Sequence, residues 1–308
     1  MAIETLLSLK ALLVGGAFVF FVVYERLRPA TESPLLVRFG RASAAAWRRL
    51  ARNASLFGIN LLLSPLVVLP ITLWAESFSL GLRPAWWAGW PGLLLDLLLL
   101  DFWIYWWHRA NHEVPVLWRF HQVHHFDELL DSTSAVRFHF GEVLLSALVR
   151  AAVIILFDLP LASVLLFEAL VLTGAIFHHS DARLPPRLEA GLARVIITPS
   201  IHWVHHHARR ADTDSNYGTI FSFWDPLFRS RSPTRRWPAM PIGVQGHRDR
   251  PLLRLILTPF ERRRRGPRRR EPGPAPRRGS SRNEGSKEPT NRRTRRLCSR
   301  RNGRSHPF

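Results

Sequence analysis

The 308-residue chain has little cysteine, lysine, tyrosine or methionine: one Cys (Cys298), two Lys, three Tyr and two Met. A lone cysteine excludes a disulfide framework within the chain and any multi-cysteine zinc or iron–sulfur site. No Gly-rich dinucleotide fingerprint and no haem-binding module is present. Acidic residues are also scarce, 23 against 43 basic ones, giving a net charge of +20. Taken alone, that charge suggests a nucleic-acid binder. Its distribution argues otherwise. From Glu261 to Phe308, 17 Arg and one Lys face four Glu, so +14 belongs to this tail and +6 to residues 1–260, which are rich in Leu, Val, Phe and Trp. The chain divides into an apolar body, 1–261, and an Arg-rich tail, 262–308. The tail has almost no aliphatic residues to offset the entropy of ordering and is expected to be disordered. Nucleic acid is not expected to be the primary partner.

What is abundant is apolar sequence. Residues 6–24, 54–75 and 85–107 are each long enough to cross a bilayer, which takes about 20 helical residues. Pro65 and Pro70 should bend the second run. The third ends in FWIYWWH, an aromatic cluster of the kind found at membrane interfaces. Residues 1–5 lack a basic segment and no cleavage site follows, so the first run reads as a span, not a signal peptide. Residues 143–157 and 159–177 flank Asp158 and Pro160 and read as a helical hairpin. Each half holds one charge, Arg150 and Glu168, both nine residues from Leu159. Charges at matched depth in a bilayer usually pair, so an Arg150–Glu168 ion pair is expected; the alternative is that Arg150 snorkels to a headgroup.

The segment 25–53 holds seven Arg and two Glu, whereas 76–84 holds one of each. The positive-inside rule puts 25–53 in the cytoplasm, and every histidine cluster then falls on the cytoplasmic side. The expected fold is an all-α integral membrane protein: about three spans plus a helical hairpin, with a cytoplasmic helical cap.

The cap is marked by histidine. Of 14 in the chain, twelve lie between His108 and His207. His108-Arg-Ala-Asn-His112 is HxxxH; His121-Gln-Val-His124-His125 and His202-Trp-Val-His205-His206 are both HxxHH. Positions i, i+3 and i+4 share a helix face, so each triplet points its imidazoles one way. Neutral imidazole suits Fe, Zn, Cu or Ni. Eight imidazoles are too many for one ion and about right for two, which can divide work on a shared oxygen. One HxxxH is weak evidence; two HxxHH and an HxxxH in one membrane chain are strong. His112-Glu113 begins like the HExxH of zinc proteases, but residue 116 is Val and Pro115 breaks the helix.

With these motifs in view, the sequence resembles the fatty acid hydroxylase / sterol desaturase superfamily of membrane non-haem di-iron enzymes. The matching text is DFWIYWWHRANHEVPVLWRFHQVHH (101–125), RFHFGE (137–142), FHHSDARLP (177–185), PSIHWVHHHARR (199–210), and NYG with FWDPLF (216–228). The resemblance covers about residues 60–235, in order. It implies metal ligands at His108, His112, His121, His124, His125, His178, His202, His205 and His206. Some members carry another histidine where this chain has Gly174; His139 is the candidate substitute, either as a ligand or as a hydrogen-bond partner of one. His179 and His207 read as polar neighbours. Asp101, and similarly Glu142, could fix a ligand's tautomer, or could pair with Arg109 or Arg137. Asn216-Tyr217-Gly218 reads as part of the cap, anchored by Trp224-Asp225.

The resemblance further implies two Fe ions, O2 as co-substrate, hydroxylation or desaturation of a membrane lipid (sterol, fatty acyl or related), and electrons from an external reductase or carrier. In a bacterium the location would be the cytoplasmic membrane, with the active site facing the cytoplasm. A carotenoid hydroxylase-type enzyme is an alternative. A haem- or metal-binding electron-transfer protein is the alternative of a different class; its axial histidines would face each other within spans, whereas these sit in triplets at span ends.

Overall fold

The computed structural model describes residues 3–31, 33, 43–78 and 80–261. The tail 262–308, and with it the expectation of disorder there, lies outside the described residues. Within them the chain is helical, with three isolated β-bridges and no longer strand. The elements in order are α1 (Ile3–Leu27), α2 (Ala44–Leu63), α3 (Leu69–Glu76), α4 (Gly89–Glu113), α5 (Pro115–His125), α6 (Phe140–Phe157), α7 (Leu161–His179), α8 (Pro186–Leu192), α9 (Pro199–His205), α10 (Arg210–Thr213), α11 (Trp224–Leu227) and α12 (Leu252–Leu257).

Among the described residues, four segments are long and apolar enough to cross a membrane: α1, the continuous helix 44–76, α6 and α7. Apolar side chains such as Leu12, Val19, Leu62 and Leu66 project outward from the first two, the inverse of a water-soluble fold. The second span starts earlier than the apolar run suggested, because α2 has a polar first half in which Arg49 and Arg52 bond Asp127 and Asp249. Pro65 cannot donate to the helical ladder, and the chain absorbs it in a π-helical turn, Ser64–Val68, between α2 and α3. The third expected span coincides with α4. It has the length, but Asp96 and Asp101 are buried along it and it is not among the four.

The hairpin forms as expected. Asp158 takes a left-handed conformation (φ 49°) to end α6, and its carboxylate accepts N–H bonds from Leu80 and Leu82 at 2.9 and 3.0 Å. Arg150 Nη2 meets Glu168 Oε1 at 2.7 Å across the two helices. Lys10 of α1 adds a second cation to the same carboxylate, because α1 packs along α7.

The helix ends gather at one side of this bundle. The chain leaving α1 runs beside the chain leaving α7, with Ala30 N–H on Asp181 O and Arg183 N–H on Arg28 O, both at 2.8 Å. The C-terminal end of α4, the N-terminal end of α6, and α5 and α9 lie at the same side. The loop after α5 is pinned by Arg49 of α2. That guanidinium is buried and bonds Asp127, Asp131, Ser134 and the Leu129 carbonyl. Buried arginine is tolerated only when its donors are used, and here two carboxylates meet them. Arg137 is buried likewise, bonded to Asp249 at 2.5 Å, Asn53 Oδ1 at 2.9 Å and Val123 O at 3.0 Å. A small apolar core of Leu129, Leu130, Trp203, Val204, Met240 and Ile242 packs the cap around α9.

Candidate metal centre

Four helices deliver the histidines. HxxxH lies in the last turns of α4, the first HxxHH in the last turns of α5, the second spans α9 and its C-cap, and His178-His179 end α7. Pro115 and Pro199 each stand at the first helical position, where a missing N–H costs nothing, so α5 and α9 start sharply.

Two compact groups result. In the first, ligating nitrogens of His108, His112, His121, His125 and His205 lie within 4.8 Å of one another; in the second, so do those of His124, His179, His202 and His206. His112, His121, His124, His125, His179, His202, His205 and His206 are all buried. Burial, and then the neighbouring imidazoles, push His124, His125, His202 and His206 well below the ordinary imidazole range. His205 shifts the same way, again chiefly through burial. Neutral rings with free lone pairs are what metal ligation needs.

The tautomers are set from outside the groups. His108 Nδ1–H donates to Tyr217 O at 2.8 Å, His205 Nδ1–H to Ser215 O at 2.6 Å, and His124 Nδ1–H to Arg137 O at 3.1 Å. His179 Nδ1–H donates to Ala175 O and His121 Nδ1–H to Glu142 Oε1, at 2.8 and 2.7 Å. Each bond leaves Nε2 as a bare lone pair aimed inward. His124 Nε2 and His179 Nε2 are then 3.0 Å apart with no proton between them, and His202 Nε2 is 3.0 Å from His179 Nε2. Converging lone pairs repel unless one ring is protonated, which burial opposes, or a cation lies among them. The donor set therefore fits two metal ions. Imidazole nitrogen suits iron as well as zinc or copper.

The acceptors are themselves fixed. The Asp225 carboxylate accepts the Tyr217 N–H at 2.7 Å and the Gly218 N–H at 3.1 Å, holding the 215–218 turn against His108 and His205. A side chain at Gly218 would come 2.7 Å from Ile197 and 3.0 Å from that carboxylate, so the turn closes only over glycine.

Other residues singled out in the sequence lie elsewhere. His178 is buried with its ring 4.0 Å from that of His202, but it falls in neither group and its Nδ1 has no hydrogen-bond partner. His179, read from sequence as a polar neighbour, stands inside the second group, because α7 ends with its last residue turned inward toward α5 and α9. His207 bonds Asp212 at 2.8 Å and lies in neither group. Two expectations need correction. His139 falls in neither group: it caps α6, its Nδ1 accepting the Gly141 N–H at 2.9 Å and its Nε2 bonding Ile256 O at 3.0 Å. Asp101 holds no histidine. Its oxygens take the Ile220 and Phe221 N–H groups and the Trp224 indole N–H, the last at 2.7 Å, so it ties the cap to α4. The carboxylate that hydrogen-bonds a histidine of the two groups is Glu142, on His121. The missed signal for His179 was its adjacency to His178 at a helix end, where either of the two can face the cap.

A cavity of about 440 Å³ opens from the histidines into the helical bundle, lined by His108, His121, His124 and His202 at one end and by mostly apolar side chains beyond.

Comparison with known proteins agrees with this geometry. Residues 93–230 match the family model described as fatty acid hydroxylase. The chain is 29% identical over 201 residues to ornithine lipid hydroxylase OlsE of Rhizobium tropici, covering 65% of this chain and 59% of that protein. It is 30% identical over 129 residues to alkylglycerol monooxygenase of Homo sapiens, covering 42% of this chain and 28% of the relative. Lathosterol oxidase of Mus musculus is 31% identical over 146 residues, 45% of this chain and 46% of the relative. The chain thus spans less than two thirds of the length of each of these relatives. No solved structure gives a significant match. By this match and by its histidine motifs, the region 93–230 is similar to the fatty acid hydroxylase / sterol desaturase superfamily.

Proposed function

We propose that this protein is an O2-dependent di-iron oxygenase that hydroxylates or desaturates an unactivated C–H of a membrane lipid. The observation that carries the reading is the set of inward Nε2 lone pairs, above all His124 against His179 at 3.0 Å, in two buried groups that open on one apolar cavity. The ligands we assign are His108, His112, His121, His125 and His205 for one iron and His124, His179, His202 and His206 for the other, with His178 beside the second. Relatives named as a lipid hydroxylase, a monooxygenase and an oxidase carry out redox chemistry, which favours a redox-active metal such as iron over zinc at these nitrogens.

Bound iron would supply the reduction of O2 and the removal of hydrogen from an unactivated carbon. The chain does the rest. Tyr217, Ser215, Arg137 and Ala175 carbonyls and the Glu142 carboxylate hold the Nδ1 protons and so aim each ring. Glu142, carrying negative charge, makes the His121 ring the more basic ligand. Trp107, Val143 and Leu172 wall the cavity, orient an alkyl chain and exclude water. Electrons come from a separate reductase or carrier.

We place the site on the cytoplasmic side, on the arginine excess of residues 25–53, and divide the chain into a membrane-embedded catalytic body, 1–261, and a tail, 262–308. The test is lipid profiling of cells expressing the intact chain or its His205→Ala variant, together with metal analysis of the purified protein. About two irons per chain without a haem Soret band, and an oxidised lipid present only with the intact chain, are expected. Equal lipid profiles for the two chains would sink the reading.

A further inference from the structure

The cavity's two ends differ in chemistry. One end is the histidines. The other is lined by Lys10 of α1, Arg150 of α6 and Glu168 of α7, with apolar residues such as Val68, Val143 and Leu172 between. On α6, Arg150 lies eight residues beyond Glu142, about 12 Å at 1.5 Å per residue; on α7, Glu168 lies ten residues before His178, about 15 Å. The charged end is therefore inside the helical bundle, well away from the histidine end.

Charge there is costly, and it is usually kept only where it pairs or acts. Pairing accounts for part of it: Arg150 Nη2 bonds Glu168 Oε1 at 2.7 Å. It does not account for Lys10, which contacts the same carboxylate. Two cations against one carboxylate leave a formal charge of +1 in an apolar wall. Arg150 is also incompletely used. It is 9% exposed, and its buried Nε–H has no hydrogen-bond partner. A staple between α6 and α7 needs one cation and a satisfied guanidinium. This site has one cation too many and, on a residue that lines the cavity, an unused donor.

We propose that Lys10, Arg150 and Glu168 form a subsite for the anionic group of the lipid substrate, a carboxylate or a phosphate. An incoming anion would neutralise the excess charge and accept the Nε–H of Arg150, whose planar fork suits both groups. Glu168 holds the two cations together before the anion arrives. The apolar chain of the ligand would lie along the cavity and present a carbon about 12–15 Å from its anionic end to the histidines. The subsite thus selects the substrate by charge and sets the position oxidised by length. This inference rests on reading the histidine groups as the reacting centre.

The test uses the full chain in neutral phosphatidylcholine nanodiscs, with displacement of a fluorescent alkyl probe by palmitate, hexadecyl phosphate or methyl palmitate. At least one anion should displace the probe about tenfold more strongly than the ester. In K10M/R150M/E168Q, which removes all three charges, the ratio should fall to within about twofold while the iron content is unchanged. The preferred anion identifies carboxylate or phosphate as the group recognised. Equal displacement by anions and ester in the unaltered chain, or a ratio kept in the triple variant, overturns the proposal. Should the triple variant fail to insert, R150K keeps a cation on Glu168 but lacks the Nε–H; an unchanged ratio there also overturns it. The two readings fail separately. Anion preference in a protein without iron or oxidised product would remove the enzyme and leave the subsite, whereas oxidised lipid formed without anion preference would do the reverse.

Discussion

The two HxxHH motifs have the same pattern and opposite uses. From α5, the i and i+4 pair His121 and His125 joins the first group and the i+3 residue His124 joins the second. From α9, the pair His202 and His206 joins the second group and the i+3 residue His205 joins the first. A helix turns 100° per residue, so i+4 lies about 40° to one side of i and i+3 about 60° to the other. Three imidazoles on one face therefore serve two centres, and neighbouring helices decide which gets the pair. The motifs alone would leave the groups equal, at three each. The inequality comes from elsewhere: α4 adds His108 and His112 to the first group, whereas α7 adds only His179 to the second, with Gly174 one turn back offering nothing.

The sharpest test of this exchange is loss of the lone i+3 member from each group. H205A and H124A should each reduce lipid oxidation by more than about 100-fold, read as product per mole of inserted protein. They should differ in metal loss, with H205A emptying the first centre and H124A the second; identical spectroscopic changes at both centres would break the comparison. Next comes the smaller group. H179A should cost the second centre its metal, about 100-fold in affinity by equilibrium dialysis. H178A should cost less, because His178 lies in neither group; the reverse order would move the ligand to His178.

Support of the first centre can be weakened without removing a ligand. E142Q keeps an acceptor for His121 but loses its charge, and should lower metal affinity there about tenfold while leaving the second centre intact. The smallest effect is expected at His139. H139A removes the cap of α6 and should cost about 1 kcal/mol of stability in a denaturation series. Its metal content should stay the same, and a lost metal ion would restore His139 as a ligand.

Much of this was legible in advance. Four of the five apolar runs correspond to the membrane-length helices, because a bilayer rewards unbroken apolar length whatever the neighbours are; the run 85–107 became α4, which carries two buried aspartates. The Arg150–Glu168 pair followed from counting residues on either side of Leu159, since a hairpin sets equal separations at equal depth. Asp101 and His139 were misplaced for a common reason. Both are polar groups near the histidines in sequence, but each was used by backbone from far along the chain: Ile220 and Phe221 for Asp101, Ile256 for His139. Lys10 offers no sign of its partner in the sequence. Its contact with Glu168, 158 residues away, required α1 to pack on α7.

The sequence by itself determined the kind of chain this is: helical, apolar in long runs, and able to offer imidazoles from one face of each cap helix, because periodicity and composition are local. The tertiary structure decided the grouping. Which of two adjacent histidines at the end of α7 turns inward, which carboxylate receives the proton of His121, and how five rings and four rings come to face two centres all depend on the rotation of each helix against its neighbours. That rotation is set by packing and by distant partners such as Arg49 on Asp127 and Asp225 on the 217–218 turn.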